Sequence, residues 1–338
     1  MADGLGTDHP VRWGILGAGR IAGRVGDDIA RTDGNVVSAV AAREAGRAAG
    51  FAARYEGARS YGSYAELAAD PDVDVVYIAT THPVHRDQAL MCIEAGKPVL
   101  VEKPVCLNAS DTRAVFEAAQ KAQLFAMEAM WMRTNPIIRQ AEQLVAEGAI
   151  GDIAGVRAAL SLSLGFDPSH RMYDMDNGGG VLLDMGIYPV TFAWLFLGKP
   201  SAVSTIGTVS PTGSDTTVAM QWTNARGQDA QLWCSATVKA PDRGLIIGTA
   251  GWIETKGRFH NPFGLIVHTD DGDTEIDDPA VGLGNGYGPE ITEVARCLRA
   301  GLLESPLIPH ADTIEIMELL DEARSVLGVK YPNEREIA

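Results

Sequence analysis

Apolar residues in the first third of the chain come in short unbroken runs, separated by stretches with helical spacing. Val11–Leu16 reads as a strand, and residues 19–32 as a helix entered through glycines. Residues 35–42 read as a second strand and the alanine-rich residues 43–55 as a second helix. Residues 73–79 are almost wholly apolar, as suits a parallel strand covered on both faces. A helix over residues 84–95 stops at Gly96, a residue suited to the left-handed position past a helix end. Residues 99–101 form a further strand. Asn108 then stands where an N-cap belongs, with Asp111 three residues on and Ala114, Val115, Ala118 and Ala119 on one stripe. Residues 124–128 complete the series as a strand. This alternation predicts an α/β fold whose first part is a Rossmann-like, doubly wound parallel sheet.

The pattern changes near residue 130. Ile137, Ile138, Ala141, Leu144 and Val145 mark an amphipathic helix closed by Gly148. Beyond it the period falls to two. Val156, Ala158, Leu160, Leu162 and Leu164 alternate with Arg157, Ala159, Ser161 and Ser163. Val218, Met220 and Trp222 alternate in the same way, as do Ala230, Leu232, Cys234 and Ala236. Such strands suit an antiparallel sheet with one face in the core. A helix over residues 189–197 interrupts them, and helices return at 289–300 and 313–327. The predicted organisation is a loose tail over residues 1–10, a nucleotide-binding region over 11–130, and an α+β region over 131–338. The last would carry the antiparallel strands.

Composition narrows the function. The 338 residues are 46% hydrophobic and 21% charged, ordinary values for a globular protein. A formal charge of −16 argues against a nucleic-acid partner, which needs a basic face. Cys92, Cys106, Cys234 and Cys297 are scattered and form no paired motif, so reduced thiols in a cytoplasmic protein are expected. Cys106 reads as a buried structural thiol, with a reactive one as the alternative. The polar start lacks a signal segment, and no unbroken apolar run reaches bilayer length, so no membrane association is expected. No metal-ligand spacing is evident, His82 and His85 included.

Gly17-Ala18-Gly19-Arg20-Ile21-Ala22 follows a strand and opens a helix, the context in which a glycine pattern marks a dinucleotide site. Gly17 permits the turn, Gly19 lets backbone approach a pyrophosphate, and Ala22 keeps helix and sheet close. An NAD site places an acid about 20 residues further on. Here the second strand ends in Ala41-Ala42-Arg43, and a guanidinium suits a 2′-phosphate. NADP is therefore expected, with NAD as the alternative and Glu44 the residue in its favour. Glu102-Lys103-Pro104 follows the residue 99–101 strand and delivers an amine to the edge where such sheets bind ligands.

These segments, with Thr80-Thr81-His82-Pro83-Val84-His85, Met127-Glu128-Ala129-Met130-Trp131 and Gly178-Gly179-Gly180-Val181-Leu182-Leu183-Asp184-Met185-Gly186-Ile187-Tyr188, resemble the glucose–fructose oxidoreductase / inositol dehydrogenase / MocA family. The branch most alike holds dimeric dihydrodiol dehydrogenases and NADP-dependent xylose dehydrogenases. The resemblance spans residue 11 to about residue 331. It implies hydride transfer between a nicotinamide and a hydroxyl of a sugar, cyclic polyol or vicinal diol. It also implies a Rossmann-like domain, a large, open, mostly antiparallel sheet in the second region with a homodimer or homotetramer built on it, and a cis Lys103–Pro104 bond.

Oxidising an alcohol requires a base for its proton. Lysine and tyrosine ordinarily ionise near pH ~10, so either needs a neighbouring positive charge or cofactor cation to act at neutral pH. Lys103 and Tyr188 are the candidates, Tyr188 for proton transfer with Lys103 polarising the substrate oxygen, or the reverse. Much of the family has histidine where this chain has Tyr188. Asp184 is expected to orient the substrate or Lys103. It does so from the same helix face as Tyr188, or from a preceding turn if the helix begins at Pro189. Thr80, His82, His85, Glu102, Lys103, Trp131 and Arg133 are expected to touch cofactor, and Trp131 also to stack on substrate. Phe166, His170, Arg171 and Tyr173 crowd one Gly/Pro-bounded loop that reads as a specificity loop. Two other readings stand beside the dehydrogenase: an NAD-dependent glycosidase with transient oxidation, and a nucleotide-sensing module without turnover.

Overall fold

The computed structural model describes residues 9–278, 284–332 and 334. In chain order the elements are β1 (Val11–Leu16), α1 (Arg20–Arg31), β2 (Asn35–Ala41), α2 (Ala45–Ala52), β3 (Arg59–Tyr61), α3 (Tyr64–Ala68), β4 (Val75–Ile78) and α4 (His82–Glu94). Then come β5 (Val99–Glu102), α5 (Ala109–Lys121), β6 (Ala126–Ala129), a short 3-10 turn (Trp131–Thr134), α6 (Pro136–Ala146) and β7 (Ile153–Ser161). A π turn (Leu182–Gly186) runs into α7 (Ile187–Leu197), followed by β8 (Ala202–Val209), β9 (Asp215–Thr223) and β10 (Asp229–Ser235). The chain ends with β11 (Gly244–Gly248), β12 (Gly251–Arg258), β13 (Asn261–Thr269), β14 (Gly272–Asp277), α8 (Gly288–Arg299) and α9 (His310–Leu327).

The chain divides into two compact units, Met1–Thr134 with Gly282–Ile314, and Asn135–Val281 with Glu315–Ala338. In the first, six strands pair in parallel in the order β3-β2-β1-β4-β5-β6. β4 and β5 are buried at every position, which explains their unbroken apolar runs. Leu16, Val76, Ile78, Val99, Val101 and Phe116 belong to one core cluster. Burying each such side chain contributes about 1.5–3 kcal/mol. Strand order reverses between β1 and β4, the crevice where open α/β sheets hold ligands. Leu16 pairs with Ile78 and Ile78 with Val101, so the carboxyl ends of β1, β4 and β5 lie level. Gly17, Ala79 and Glu102 continue from that one row.

Residues 284–314 group with this unit although the sequence pattern assigned 131–338 to one region. The amides of Asn285 and Tyr287 donate to Asp28 on α1, at 2.9 and 3.0 Å. The Ala126 amide donates to Leu303 O at 3.1 Å. Short-range pattern carries no trace of such returns. Residues 1–8 of the expected tail lie outside the described residues.

The second unit holds an eight-stranded sheet ordered β14-β13-β12-β11-β7-β10-β9-β8, antiparallel except where β7 meets β10. α7 packs on β7 and β10 and is apolar nearly all round, as a core helix is. The stretch Met175–Leu197 is long and apolar enough to cross a bilayer, which amends the expectation of no such segment. Its most apolar window is 89% buried inside the fold. The helix starts before Pro189, contrary to one of the two expectations, because the wider π turn accommodates a residue with no N–H to donate. β3, β8 and β11–β14 escaped the pattern. β3 has three residues, and β8 and β14 are mostly exposed.

Candidate active site

Gly17 has φ +99°, and a Cβ there would stand 2.8 Å from Ala79 O at the end of β4. Only glycine meets both demands. A Cβ on Gly19 would meet nothing within 4 Å, so the space beside this backbone is open. Gly19 is also the N-cap of α1 and brings no side-chain cap, leaving the first amides of the helix for a ligand. That arrangement fits a pyrophosphate. Ala18 and Ile21 are half-buried, Arg20 is exposed, and Ala22 is buried against the sheet.

Arg43 is exposed just beyond β2. Arg47, which the sequence reading passed over, donates from Nη2 and Nε to Ala18 O at 3.0 and 3.2 Å. Its spacing of four from Arg43 was the available signal. The glycine turn thus has a second guanidinium beside it. Glu44 is exposed and forms no side-chain cap on α2.

At the ends of β4 and β5, Thr80 donates to Gln88 Oε1 at 2.7 Å. His85 is fully buried, with Nδ1 3.1 Å from Pro104 O and Nε2 3.3 Å from Thr80 O. Burial pushes its pKa down against the pull of these carbonyls. Both ring nitrogens thus face backbone carbonyls, which makes His85 a structural tie. That tie joins the two loops carrying Thr80 and Lys103. His82 is buried with its ring 5.7 Å from that of His85. The Lys103–Pro104 bond is cis, as the resemblance implied.

Beneath half-buried Lys103 lies a group of buried acids. The Tyr77 hydroxyl donates to Glu102 Oε1, and the Lys103 amide to Glu102 Oε2 at 3.2 Å. Glu128 on β6 is pushed up to about 7 by burial, against the Thr313 hydrogen bond and the charges of Arg133 and Lys103. Glu290 on α8 is raised well above the usual carboxylate range by burial, then by Glu102 and Glu128. Tyr77 is raised by burial and by Glu102. Arg133 is buried and ion-paired with Asp312 at 2.7 Å, while its Nε and Nη1 make no hydrogen bond among the described residues. Trp131 is buried with its ring 4.5 Å from that of Tyr287.

In the second unit, Asp184 lies in the π turn and Tyr188 at the second residue of α7, four positions apart in one helical segment. Asp184 Oδ2 accepts from Arg171 Nη2 at 2.6 Å, so two expected substrate residues are joined. Tyr188 is buried, its ring 4.9 Å from His260, a neighbour that no sequence signal marked. Phe166 is exposed and packs edge-on against Tyr173, with His170 beside it. Tyr173 itself is 1% exposed, its hydroxyl 3.4 Å from Leu164 O. The enclosed ring thus supports its own loop. The four cysteines are free and buried, and burial raises the Cys106 thiol, so it is the structural thiol of the two readings. Among the described residues no cluster could hold a metal ion.

A family model described as "Oxidoreductase family, NAD-binding Rossmann fold" matches residues 11–130. A second, "GFO/IDH/MocA C-terminal domain", matches residues 138–254. The trans-1,2-dihydrobenzene-1,2-diol dehydrogenase of Mus musculus is 38% identical over 340 residues, covering 96% of this chain and 99% of its own. KijD10, a 3-ketoreductase from Actinomadura kijaniata solved with NADP and TDP-benzene, superposes with TM-score 0.82 at 25% identity, over 94% of this chain and 98% of its own. The aldose–aldose oxidoreductase from Caulobacter crescentus, solved with glycerol, shares the fold with TM-score 0.84 at 23% identity, over 95% and 98%.

Proposed function

From the premise that this chain belongs to the GFO/IDH/MocA family of oxidoreductases, a dehydrogenase of CH–OH groups that uses NAD(P), we propose that it prefers NADP and oxidises a vicinal diol or sugar. One observation carries the reading: the Gly17 turn and Lys103 continue from a single row of strand ends, with the uncapped start of α1 directly after that turn. Arg43 and Arg47 beside the turn support NADP, since a 2′-phosphate is best met by guanidinium. Likeness to a trans-dihydrodiol dehydrogenase over nearly the whole chain supports the diol.

Gly17, Gly19 and the first amides of α1 would hold the pyrophosphate, and Arg43 with Arg47 the 2′-phosphate. When bound, the dinucleotide accepts the hydride that leaves the carbinol carbon. The chain supplies the rest. Tyr188 takes the hydroxyl proton, and the Lys103 ammonium polarises the substrate oxygen and favours the phenolate. Asp184, held by Arg171, orients the second hydroxyl. His85 fixes the loop from which Lys103 projects. Phe166, exposed in its loop, offers an apolar surface to the ring of a cyclic diol.

We further propose a homodimer or homotetramer through the open face of the eight-stranded sheet. Ile206 on that sheet is 70% exposed, and a cavity of about 510 Å³ is lined by Arg157, Ile206, Gln231, Trp233 and Arg243. A cytoplasmic location agrees with four unpaired thiols. The test is a screen of trans-diols, aldoses and cyclic polyols at the nicotinamide absorbance, with NADP and NAD separately. Reduction of NADP by a diol or sugar is expected. Faster reduction of NAD, or none with any substrate, contradicts the proposal.

A further inference from the structure

The segment that carries Asp184 and Tyr188 is capped from far away. The amides that open a helix have no partner within it, and Val181 at the opening position has no side chain that could cap. Asp215, the first residue of β9 and 33 positions on, accepts the Leu182 amide on Oδ2 at 2.6 Å, and the Val181 amide also favours its charged form. Asp215 is 0% exposed, and its Oδ1 makes no hydrogen bond among the described residues. The backbone leaves space for it: Gly180 has φ +122°, and a Cβ there would stand 2.3 Å from Oδ1. The Tyr331 hydroxyl donates to Gly179 O at 2.8 Å and holds the glycine run from the other side.

A purely structural cap needs only an acceptor, and serine, threonine or asparagine provides one. A fully buried carboxylate with one oxygen unpaired is destabilising by comparison. What it adds is a charge-assisted bond and a fixed negative charge at the helix start. We propose that Asp215 is a positioning residue for the reaction: its carboxylate clamps the start of the helical segment and so fixes where Asp184 and Tyr188 point. The proposal rests on the reading above of Asp184 and Tyr188 as reacting groups.

The ionisable groups facing Asp215 are Arg324 and Tyr331 from the C-terminal stretch and Cys234 from β10, with Asp184 on the far side of Tyr331. Burial pushes the Asp215 carboxyl up to about 6, against the two amides and Arg324. A carboxyl raised above its ordinary 3.8 stabilises the fold while protonated and loses that contribution as pH rises through about 6. A neutral replacement therefore leaves the fold no less stable at about pH 8, while it loosens the clamp.

The test compares wild type, Asp215→Asn and Tyr188→Phe, with kcat, KM, NADP affinity and Tm measured from about pH 5.5 to about pH 8. For Asp215→Asn at the upper pH we expect kcat down about tenfold or more, KM and NADP affinity within about threefold, and Tm not lowered. The wild-type-to-variant kcat ratio should approach one below about pH 6, as the wild-type carboxyl takes its proton. If Asp215→Asn does not fold, Asp215→Ser replaces it with the same expectations. A kcat within about threefold of wild type at the upper pH, or a ratio that does not change with pH, overturns the clamp. Full turnover by Tyr188→Phe instead overturns the underlying assignment.

Discussion

The two units place their proposed reacting groups by different means. In the first, chemistry sits at strand ends, and backbone does most of the positioning. Gly17 must be glycine because of its own φ and one nearby carbonyl, and Lys103 is delivered by the strand directly before it. In the second, Asp184 and Tyr188 ride on a helical segment embedded in apolar core, and its start is fixed by a carboxylate from another strand. A strand-end site is specified locally and presents groups to ligand with little supporting packing. A core helix holds its groups firmly, but their direction depends on residues far off in sequence. Candidate residues of the first kind are motifs; those of the second are consequences of a fold.

That contrast can be broken at specific residues. The largest effect expected is at Lys103, whose replacement by alanine should lower turnover by about 10²–10⁴. NADP affinity should stay within about threefold, because backbone and arginines hold the nucleotide. Parallel losses of turnover and affinity in steady-state and binding assays would make Lys103 an anchor rather than a reacting group. Next in size is Arg43→Ala. Loss of charge-assisted bonds to a 2′-phosphate should cut the NADP-over-NAD preference in kcat/KM by about tenfold or more. Arg47→Ala should weaken both nucleotides, because it also frees Ala18 O in the glycine turn. Equal losses for the two nucleotides in Arg43→Ala would remove the phosphate assignment.

The smallest effect falls on stability. Glu128 titrates at about 7 in the fold against an ordinary 4.5, so its protonated form favours the folded state. That contribution is complete below 4.5 and disappears as pH rises through about 7. Wild type should thus lose up to about 3 kcal/mol from this group between those limits. Glu128→Gln should show a flatter Tm profile from about pH 5 to about pH 8. An unchanged profile would mean that the buried acids below Lys103 place no burden on the first unit.

Legibility in the sequence followed the same divide. The glycine turn, the Asn108 cap with its bond from the Asp111 amide, and Lys103 after β5 could all be read, because each answers a local demand. The spacing of His85 placed it at the ligand edge, while its enclosure by Thr80 and Pro104 is a tertiary fact. The burial of Tyr173 is another, its loop folding it inward. In the second unit the alternating strands β7, β9 and β10 were clear, since one face is buried and the other is not. Asp215 carried no signal, because an aspartate opening a strand looks like any turn residue. His260 was equally silent, its meaning coming from the Tyr188 ring beside it.

In the proposed reaction, Lys103 and Tyr188 serve one proton transfer. A double-mutant cycle measures this directly: kcat/KM at saturating NADP for wild type, Lys103→Ala, Tyr188→Phe and the double variant. Residues acting on one transition state are not additive, so the double variant should fall no more than about tenfold below the worse single variant. Losses that multiply to the product of the two singles would show independent roles and contradict the account.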